Sequence, residues 1–312
     1  MMVVALAAFN ASPVAAVEPF ERAYDPPVGS RWIIESETRG REMRPEGTAT
    51  SLVKTRAELT VEQKTADGFR MSYINRGAII EGNARDLPLR RAYMKAIESV
   101  TIRLTTDLAG KPLRIDNLDE ARAAVRRAAE NLSTQFDNGP AARALLDQLV
   151  AELTDLDDDQ AASVYAGNLS LLSSAQSTGM KRGEVRLASK PVESPLGGDA
   201  LKSNERFELI EANAATGRLK FVSATSLDPA SLKDYMQSLA RGLLAATVES
   251  VAAEQIDRLA ASMTFSLDRR AEFEVTGGMT RRIVERSTTV IRGMEQNLTQ
   301  AEERIITVTH AP

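Results

Sequence analysis

The sequence contains no cysteine. Disulfide bonds, thiolate zinc sites, cysteine nucleophiles and iron–sulfur clusters all need that side chain, so the sequence excludes each of them on this chain. A lipid anchor attached to a lipobox cysteine is excluded for the same reason. Whatever the protein does, it does without thiol chemistry of its own.

The sequence also has one histidine, one tryptophan and no block of like charge. His310 lies two residues from the C-terminus, which argues against a His-centred catalytic triad and a multi-His metal site. The formal net charge of −4 is spread along the chain, and few aromatic side chains are available to stack on bases. The sequence therefore predicts no nucleic-acid binding.

The N-terminus has the pattern of an export signal. The first nine residues are all apolar, a helix-breaking stretch with Pro13 follows, and small residues precede a signal-peptidase cut after Ala16. This pattern predicts a signal peptide over 1–16 and a periplasmic or secreted bacterial protein. No Lys or Arg precedes the apolar run, which leaves a buried first helix as the alternative. No stretch reaches about eighteen apolar residues, so no transmembrane segment is expected.

Residues 17–312 are predicted to form a single α+β domain. Alternating apolar residues and glycine-containing turns mark the strands, and apolar residues recurring at intervals of three and four mark the helices. Hairpin turns are predicted at Asp67-Gly68, Ala109-Gly110, Thr216-Gly217 and Gly277-Gly278. The predicted order is strands over 30–116, helices over 117–178, strands over 183–226, a helix over 229–262 and strands over 265–310.

Polar residues before the apolar stripes predict where the helices begin. Asn117 and Glu120 have the spacing of a capping box, and Asp228 before Pro229 is a cap followed by a first-turn proline. Four leucines on the predicted stripes are expected to be buried: Leu132, Leu149, Leu169 and Leu239.

The stretch DLDDDQ, residues 155–160, holds four carboxylates in five positions. A calcium loop of the EF-hand type would need glycine at its sixth position and glutamate at its twelfth, where this sequence has Gln160 and Ala166. Asp157 and Gln160 instead have capping-box spacing, and carboxylates are stabilised at a helix N-terminus. The sequence predicts a helix start here and no metal site.

Runs of strands and runs of helices that are segregated along the chain are typical of an antiparallel α+β protein. About eleven strands are predicted, which is more than a flat open sheet usually holds, so the sheet is expected to be strongly curved. The helices must bury their apolar stripes, and the concave face of the sheet is the expected place.

A strongly curved antiparallel sheet around helices, in an exported chain, resembles the periplasmic lipoprotein-carrier half-barrels of the LolA/LolB type. The resemblance is one of layout over most of the chain, and this chain has an additional helix-plus-hairpin half. The stretch SVTIRLTTDLAGKPLRIDNLDEARAAV is also similar to segments of bacterial secreted proteins of unassigned function. The resemblance implies a half-barrel that binds a lipid or another apolar ligand, and it carries over no functional residue.

Two short motifs resemble catalytic or phosphate-binding motifs, but the surrounding residues do not support either function. Ser51 and Lys54 match the Ser-x-x-Lys of serine acyltransferases, but the strand pattern places them on opposite faces. The stretch GGDALKS lacks the Gly-Lys-Ser/Thr core of a phosphate loop. The sequence therefore predicts no catalytic, cofactor-binding or metal-ligating residue. Four acidic residues are expected in solvated strand and turn positions: Glu62, Asp67, Glu302 and Glu303.

The sequence thus predicts a non-catalytic envelope protein that binds an apolar ligand, such as a lipid or acyl chain, or a partner protein. Two alternatives stay open. A structural protein would have the interior of its sheet filled by helices. A hydrolase using only carboxylates would bring two Asp or Glu side chains into one cleft. If the interior is filled, an exposed edge strand is the expected contact surface for a partner.

Overall fold

Long stretches of alternating burial pair into one antiparallel sheet of eleven strands in the computed structural model. The predicted signal peptide over 1–16 lies outside the described part of the chain. The structure describes residues 23–84, 87–98, 100–135, 150–151, 154–176, 179–192, 201–245, 253–293 and 296–311.

The strands are β1 Arg31–Arg44, β2 Gly47–Lys64, β3 Gly68–Gly82, β4 Thr101–Asp107, β5 Pro112–Ile115, β6 Val185–Val192, β7 Leu201–Asn213, β8 Arg218–Leu227, β9 Thr264–Thr276, β10 Met279–Gly293 and β11 Gln296–His310. The described helices are α1 Leu87–Glu98, α2 Leu118–Gln135, α3 Asp158–Tyr165, α4 Leu169–Ser173, α5 Pro229–Ala245 and α6 Ala253–Ser262.

The strand order is β5-β4-β3-β2-β1-β11-β10-β9-β8-β7-β6. Consecutive strands therefore pair with each other, apart from β5 and β6 at the two ends of the sheet, and the first and last strands meet in the middle. There Trp32 of β1 lies opposite Leu59 of β2 and His310 of β11. The sheet is thus two antiparallel meanders joined along the β1–β11 pair, and the predicted number of strands is confirmed.

All four predicted hairpin turns are confirmed, because each lies between two strands that pair with each other. The turn at Gly110 shows why glycine is needed. Its φ is +78°, in the left-handed region, and a Cβ there would lie 2.6 Å from Cε1 of Tyr24. Any other residue would strain the backbone and displace that buried ring.

The predicted helix starts are confirmed at all three positions, and the capping hydrogen bond differs from the prediction only at Asn117. The Asp157 carboxylate accepts a hydrogen bond from the Gln160 amide, and the Gln160 side chain accepts one from the Asp157 amide, so DLDDDQ holds a complete capping box. Asp228 likewise accepts from the Ser231 amide at 2.9 Å. Asn117 instead uses its side-chain oxygen to accept from the amide of Arg103 in β4, so it ties the start of α2 to the sheet.

The sheet curls so that distant strands approach one another. Thr280 of β10 donates to the carbonyl of Leu172 at 2.7 Å, and Gln176 donates to the carbonyl of Ala109, just after β4, at 3.0 Å. In a flat sheet β4 and β10 would lie about 24 Å apart, because strands are spaced by about 4.8 Å. Four residues span at most about 14 Å. Both contacts come from residues only four positions apart, which indicates that the sheet is curved.

The predicted fold class, an α+β protein with its helices packed on the concave face, is wrong. The described structure is dominated by its single sheet, and the described helices are few and short, from 5 to 18 residues. They form no continuous layer over the sheet. In one group α1 packs on β3 and α2, and α3 packs on β5, while in the other α5 packs on α6 and β7. Long strands, of up to 18 residues, account for more of the described chain than helices do, and the described helices cover only parts of the sheet.

Helix α1 was not predicted, because it lies within the region 30–116 that was assigned to strands alone. Its buried Leu87 and Ile97, with the partly buried Met94 between them, recur at helical spacing. Arg91 donates two hydrogen bonds to the carbonyl of Ile80 and anchors the helix to β3. The few apolar residues of this helix are separated by charged ones, so its helical spacing was not recognised in the sequence.

Of the four leucines predicted to be buried, Leu169 is confirmed at 4% exposure. The side chains of Leu132 and Leu239 and all of Leu149 lie outside the described residues. The predicted helix over 229–262 is described as α5 and α6, and residues 246–252 between them are not described. None of the described helices combines the length and apolar character needed to cross a bilayer.

Candidate functional site

Two apolar cores lie on the face of the sheet that carries Trp32, Ile34 and Leu59, here called the inner face. The opposite side is called the outer face. The main core is built around strand residues that are almost completely buried: Ile34, Leu59, Phe221, Ile283 and Ile306. The second core is smaller and includes the helices α5 and α6. Its buried members are Leu201, Leu227, Tyr235, Met236, Ala240, Ile256, Met263, Phe265 and Ile291.

An uninterrupted row of polar residues and glycine crosses the inner face between the two cores. Residues directly opposite one another in paired strands lie on the same face, so the strand register defines the row. We call it the polar row. From β7 to β2 it consists of Glu205, Thr225, Arg269, Ser287, Glu302, Gly40 and Ser51.

Solvent reaches the inner face along this row. Ser287, in the middle, lies four residues from the fully buried Ile283 of the main core and four from the buried Ile291 of the second core. Four residues of strand correspond to about 13 Å on either side. The row itself is half-buried to exposed. The polar row is therefore a solvent-accessible strip between two packed apolar regions, and we call the space over it the cleft.

The charged side chains beside the polar row are linked to one another by ion pairs. Glu285 of β10 is only 5% exposed and is held between Arg269 of β9 and Arg304 of β11. Arg304 is also paired with Glu302 at 3.2 Å. A buried carboxylate is stable only when it is compensated by opposite charge and hydrogen bonds. The two arginines therefore act as counter-ions to Glu285 while keeping part of each guanidinium exposed to the cleft.

The rest of the cleft floor offers small polar groups beside apolar ones. Ser51, Thr225 and Ser287 supply hydroxyl groups that can donate or accept hydrogen bonds. Val53 and Leu267 lie next to the row on its two sides and are half-buried. A site of this kind can bind a polar group and an apolar chain of the same ligand.

The outer face has a groove of about 820 Å³ over β1, β2 and β3. Its charged lining is internally paired: Arg56 lies 3.1 Å from Glu35, and Lys54 lies 3.1 Å from Glu37. The groove therefore offers charges that are already compensated. Lys54 projects here while Ser51 lies in the polar row, so the predicted separation of this pair on opposite faces is confirmed.

The single histidine and the single tryptophan are structural neighbours. The rings of Trp32 and His310 meet edge to face with their centroids 4.7 Å apart, and the guanidinium of Arg281 lies 4.4 Å above the Trp32 ring. Burial lowers the pKa of Arg281. In the main core, burial raises the pKa of Tyr73 to about 12. These side chains serve packing, and they lie away from the polar row.

The acidic residues predicted to be solvated divide between the two faces. Glu302 is in the polar row, whereas Glu303 lies on the outer face and pairs with Arg286 at 2.8 Å. Glu62 and Asp67 are exposed, as predicted. The sequence interpretation missed Glu285. Its position two residues after Ile283 would have placed a carboxylate on the apolar face, but only the strand register brings the two arginines to it.

Across the described ranges, no group of three or more His, Asp or Glu residues is arranged to hold a metal ion. The carboxylates of DLDDDQ that were considered as calcium ligands lie at the start of α3, where Asp157 is used as a cap.

No protein family matches the chain, and no curated protein matches it. The resemblance to lipoprotein carriers is thus confirmed only in the large curved antiparallel sheet. Among solved structures, the chain is similar to a lipovitellin described for its lipid–protein interactions, at 7% identity and a TM-score of 0.46. The match covers 92% of this chain and 26% of that one, so the chain spans about a quarter of its length.

Two further solved structures match at lower TM-scores. An outer membrane channel from Pseudomonas putida F1 matches at 8% identity and a TM-score of 0.20, covering 94% of this chain and 100% of that one. A protein of the dynemicin biosynthesis pathway of Micromonospora chersina matches at 8% identity and a TM-score of 0.18, covering 96% and 87%. At these values none of the three establishes a shared fold or a function.

Proposed function

We propose that the protein is a non-catalytic binding protein that holds an amphipathic ligand, a lipid or acyl chain with a polar head, in the cleft over the polar row. The observation that carries this proposal is the half-exposed polar row between two buried apolar cores. A sheet that only had to be packed would place apolar residues along this line, as it does four residues away on either side.

The proposed ligand pose follows from the chemistry of the cleft. The polar head lies against the hydroxyl of Ser287 and the exposed part of Arg269, which are directly opposite each other, and it replaces water there with hydrogen bonds. The apolar chain lies along the half-buried Leu267 and Leu298, beside the second core. Covering such side chains removes apolar surface from water, which favours binding by about 25 cal/mol per Å².

The binding test uses two adjacent residues of β10 that point to opposite faces. Ser287→Phe fills the cleft floor, whereas Thr288→Phe adds the same ring to the exposed outer face. We expect Ser287→Phe to weaken the binding of a fluorescent fatty acid at least about tenfold, which corresponds to about 1.4 kcal/mol. Thr288→Phe should bind the probe like the parent. Equal effects of the two substitutions, or a parent chain that does not bind the probe, would contradict the proposal.

The proposed location is the bacterial envelope, and it rests on the N-terminal sequence pattern with its cut after Ala16. N-terminal sequencing of the protein recovered from an envelope fraction should give a chain that begins near Val17. A chain that retains Met1 and is recovered from the cytosol would rule export out.

The two alternatives are less well supported. A hydrolase needs two carboxylates that are free to act as acid and base or nucleophile. Glu285 and Glu302 do converge on Arg304, but each is engaged in the ion-pair chain, and Glu285 is buried. A purely structural protein would have a covered inner face, whereas solvent reaches the polar row. A binding function explains the exposed polar row, which neither a hydrolase nor a purely structural protein would require.

A further inference from the structure

The sheet has two ends, and they differ in how they are covered. At one end β5 has four residues and packs against α3. At the other end β6 pairs with β7, and residues 185–189 are exposed on both faces. Leu187 is the most exposed large apolar side chain of the described residues, at 79%. An edge strand with an exposed apolar residue at its centre is a template for another strand.

The hydrogen-bonding pattern shows which residues of β6 face outward. The amide of Leu209 in β7 donates to the carbonyl of Glu184 at 3.2 Å. Because antiparallel ladders alternate, the even-numbered residues of β6 bond to β7, and Val185, Leu187 and Ser189 direct their N–H and C=O groups to the side on which no described strand pairs with β6. Pro191 fits this pattern, since its missing N–H falls on the outward side.

We infer that β6 pairs with β6 of a second copy of this chain, antiparallel and about a two-fold axis at Leu187. In this register Leu187 lies opposite Leu187 of the second copy, and Val185 lies opposite Ser189. All three outward-facing residues of each copy then exchange both of their backbone hydrogen bonds. The two sheets become continuous, and the two Leu187 side chains cover each other on the outer face.

The side chains of β6 select this register over its neighbours. With the axis at Leu187, Arg186 lies opposite Ala188, so no like charges face each other. Moving the axis to Arg186 would place that residue opposite its own copy, which is unfavourable. Moving it to Ser189 would place Leu187 opposite Pro191, which has no N–H to donate. Of these three registers, only the one centred on Leu187 avoids both facing like charges and the missing N–H of Pro191.

Sedimentation of the full chain over a range of concentrations tests the oligomeric state. The parent should shift from monomer to dimer as its concentration rises. Leu187→Lys places two like charges on the axis, so this variant should stay monomeric and have the Tm that the parent has at concentrations where it is monomeric. Leu113→Lys, at the half-exposed position of the opposite edge strand β5, should dimerise like the parent. A parent chain that stays monomeric at its highest soluble concentration would overturn the inference and leave the edge to a different partner.

Cross-linking tests the register, and the absence of cysteine makes it unambiguous. Directly opposite residues in a hydrogen-bonded antiparallel pair have Cα atoms about 5.5 Å apart, within the range that a disulfide spans. Leu187→Cys should therefore form a disulfide-linked dimer under mild oxidation, and Leu113→Cys should remain monomeric. Equal cross-linking of the two variants would show random collision and overturn the proposed pairing.

Discussion

Glu285 shows how one side chain links the stability of this sheet to its binding surface. It lies on the inner face, directly opposite Arg304 and diagonal to Arg269, so its charge is compensated from both neighbouring strands. The same two arginines reach into the cleft. The ion-pair chain therefore fixes the positions of the cationic groups that the proposed ligand would meet.

Glu285→Gln should lower the free energy of unfolding by about 2 kcal/mol, because it weakens charge-assisted hydrogen bonds to both arginines inside a buried site. Glu303→Gln is the matched control. Glu303 is one strand away on the outer face and pairs with Arg286 in solvent, so its loss should cost less than about 1 kcal/mol. Urea titration of the two variants measures both values. Equal losses would show that Glu285 is not the compensated buried charge described here.

Among the strands and helices, local sequence patterns were sufficient to predict many of the turns and helix starts. The turns at Gly110 and Gly277 and the cap at Asp157 depend on residues within a few positions of each other, and all were predicted. Helix α1 was missed because its apolar residues are few and its anchor, the Ile80 carbonyl, belongs to a strand. The polar row could not be predicted, because it exists only once seven strands are in register.

Ion pairs on the outer face of the sheet lower the pKa of two glutamates, and this makes the stability of the fold depend on pH. Arg31, with a contribution from Arg76, holds the pKa of Glu58 below its usual value, and Lys54 does the same for Glu37. A carboxylate whose pKa is lowered by folding stabilises the fold above its unfolded pKa, and this contribution is lost as the pH falls through the folded value. The Tm should therefore decrease as the pH falls below about 4.5.

Thermal unfolding of Glu58→Gln as a function of pH checks this assignment. The variant should have a lower Tm than the parent at neutral pH, and the difference should shrink as the pH falls below the range in which Glu58 is ionised. Glu62→Gln, at an exposed position of the same strand, is the control and should follow the parent. A difference between Glu58→Gln and the parent that stays constant down to low pH would show that Glu58 acts through something other than its charge.

For the molecule as a whole, the described helices pack in two groups and leave the polar row accessible to solvent. The contacts of Leu172 with Thr280 and of Gln176 with Ala109 draw the two halves of the sheet toward each other. The helices were expected to fill the concave face, but they pack in two groups. Their placement depends on contacts between residues far apart in the chain, which local sequence patterns do not specify.

The most direct test of the central claim is native mass spectrometry of the purified full chain together with its Ser287→Phe and Thr288→Phe variants. We predict that the parent and Thr288→Phe each carry a bound species with the mass of a single lipid or fatty acid, released on activation. Ser287→Phe, folded with the same Tm as Thr288→Phe, should carry none. A parent chain without any bound species after incubation with fatty acid, or a Ser287→Phe variant that retains it fully, would contradict the assignment of the polar row as a ligand site.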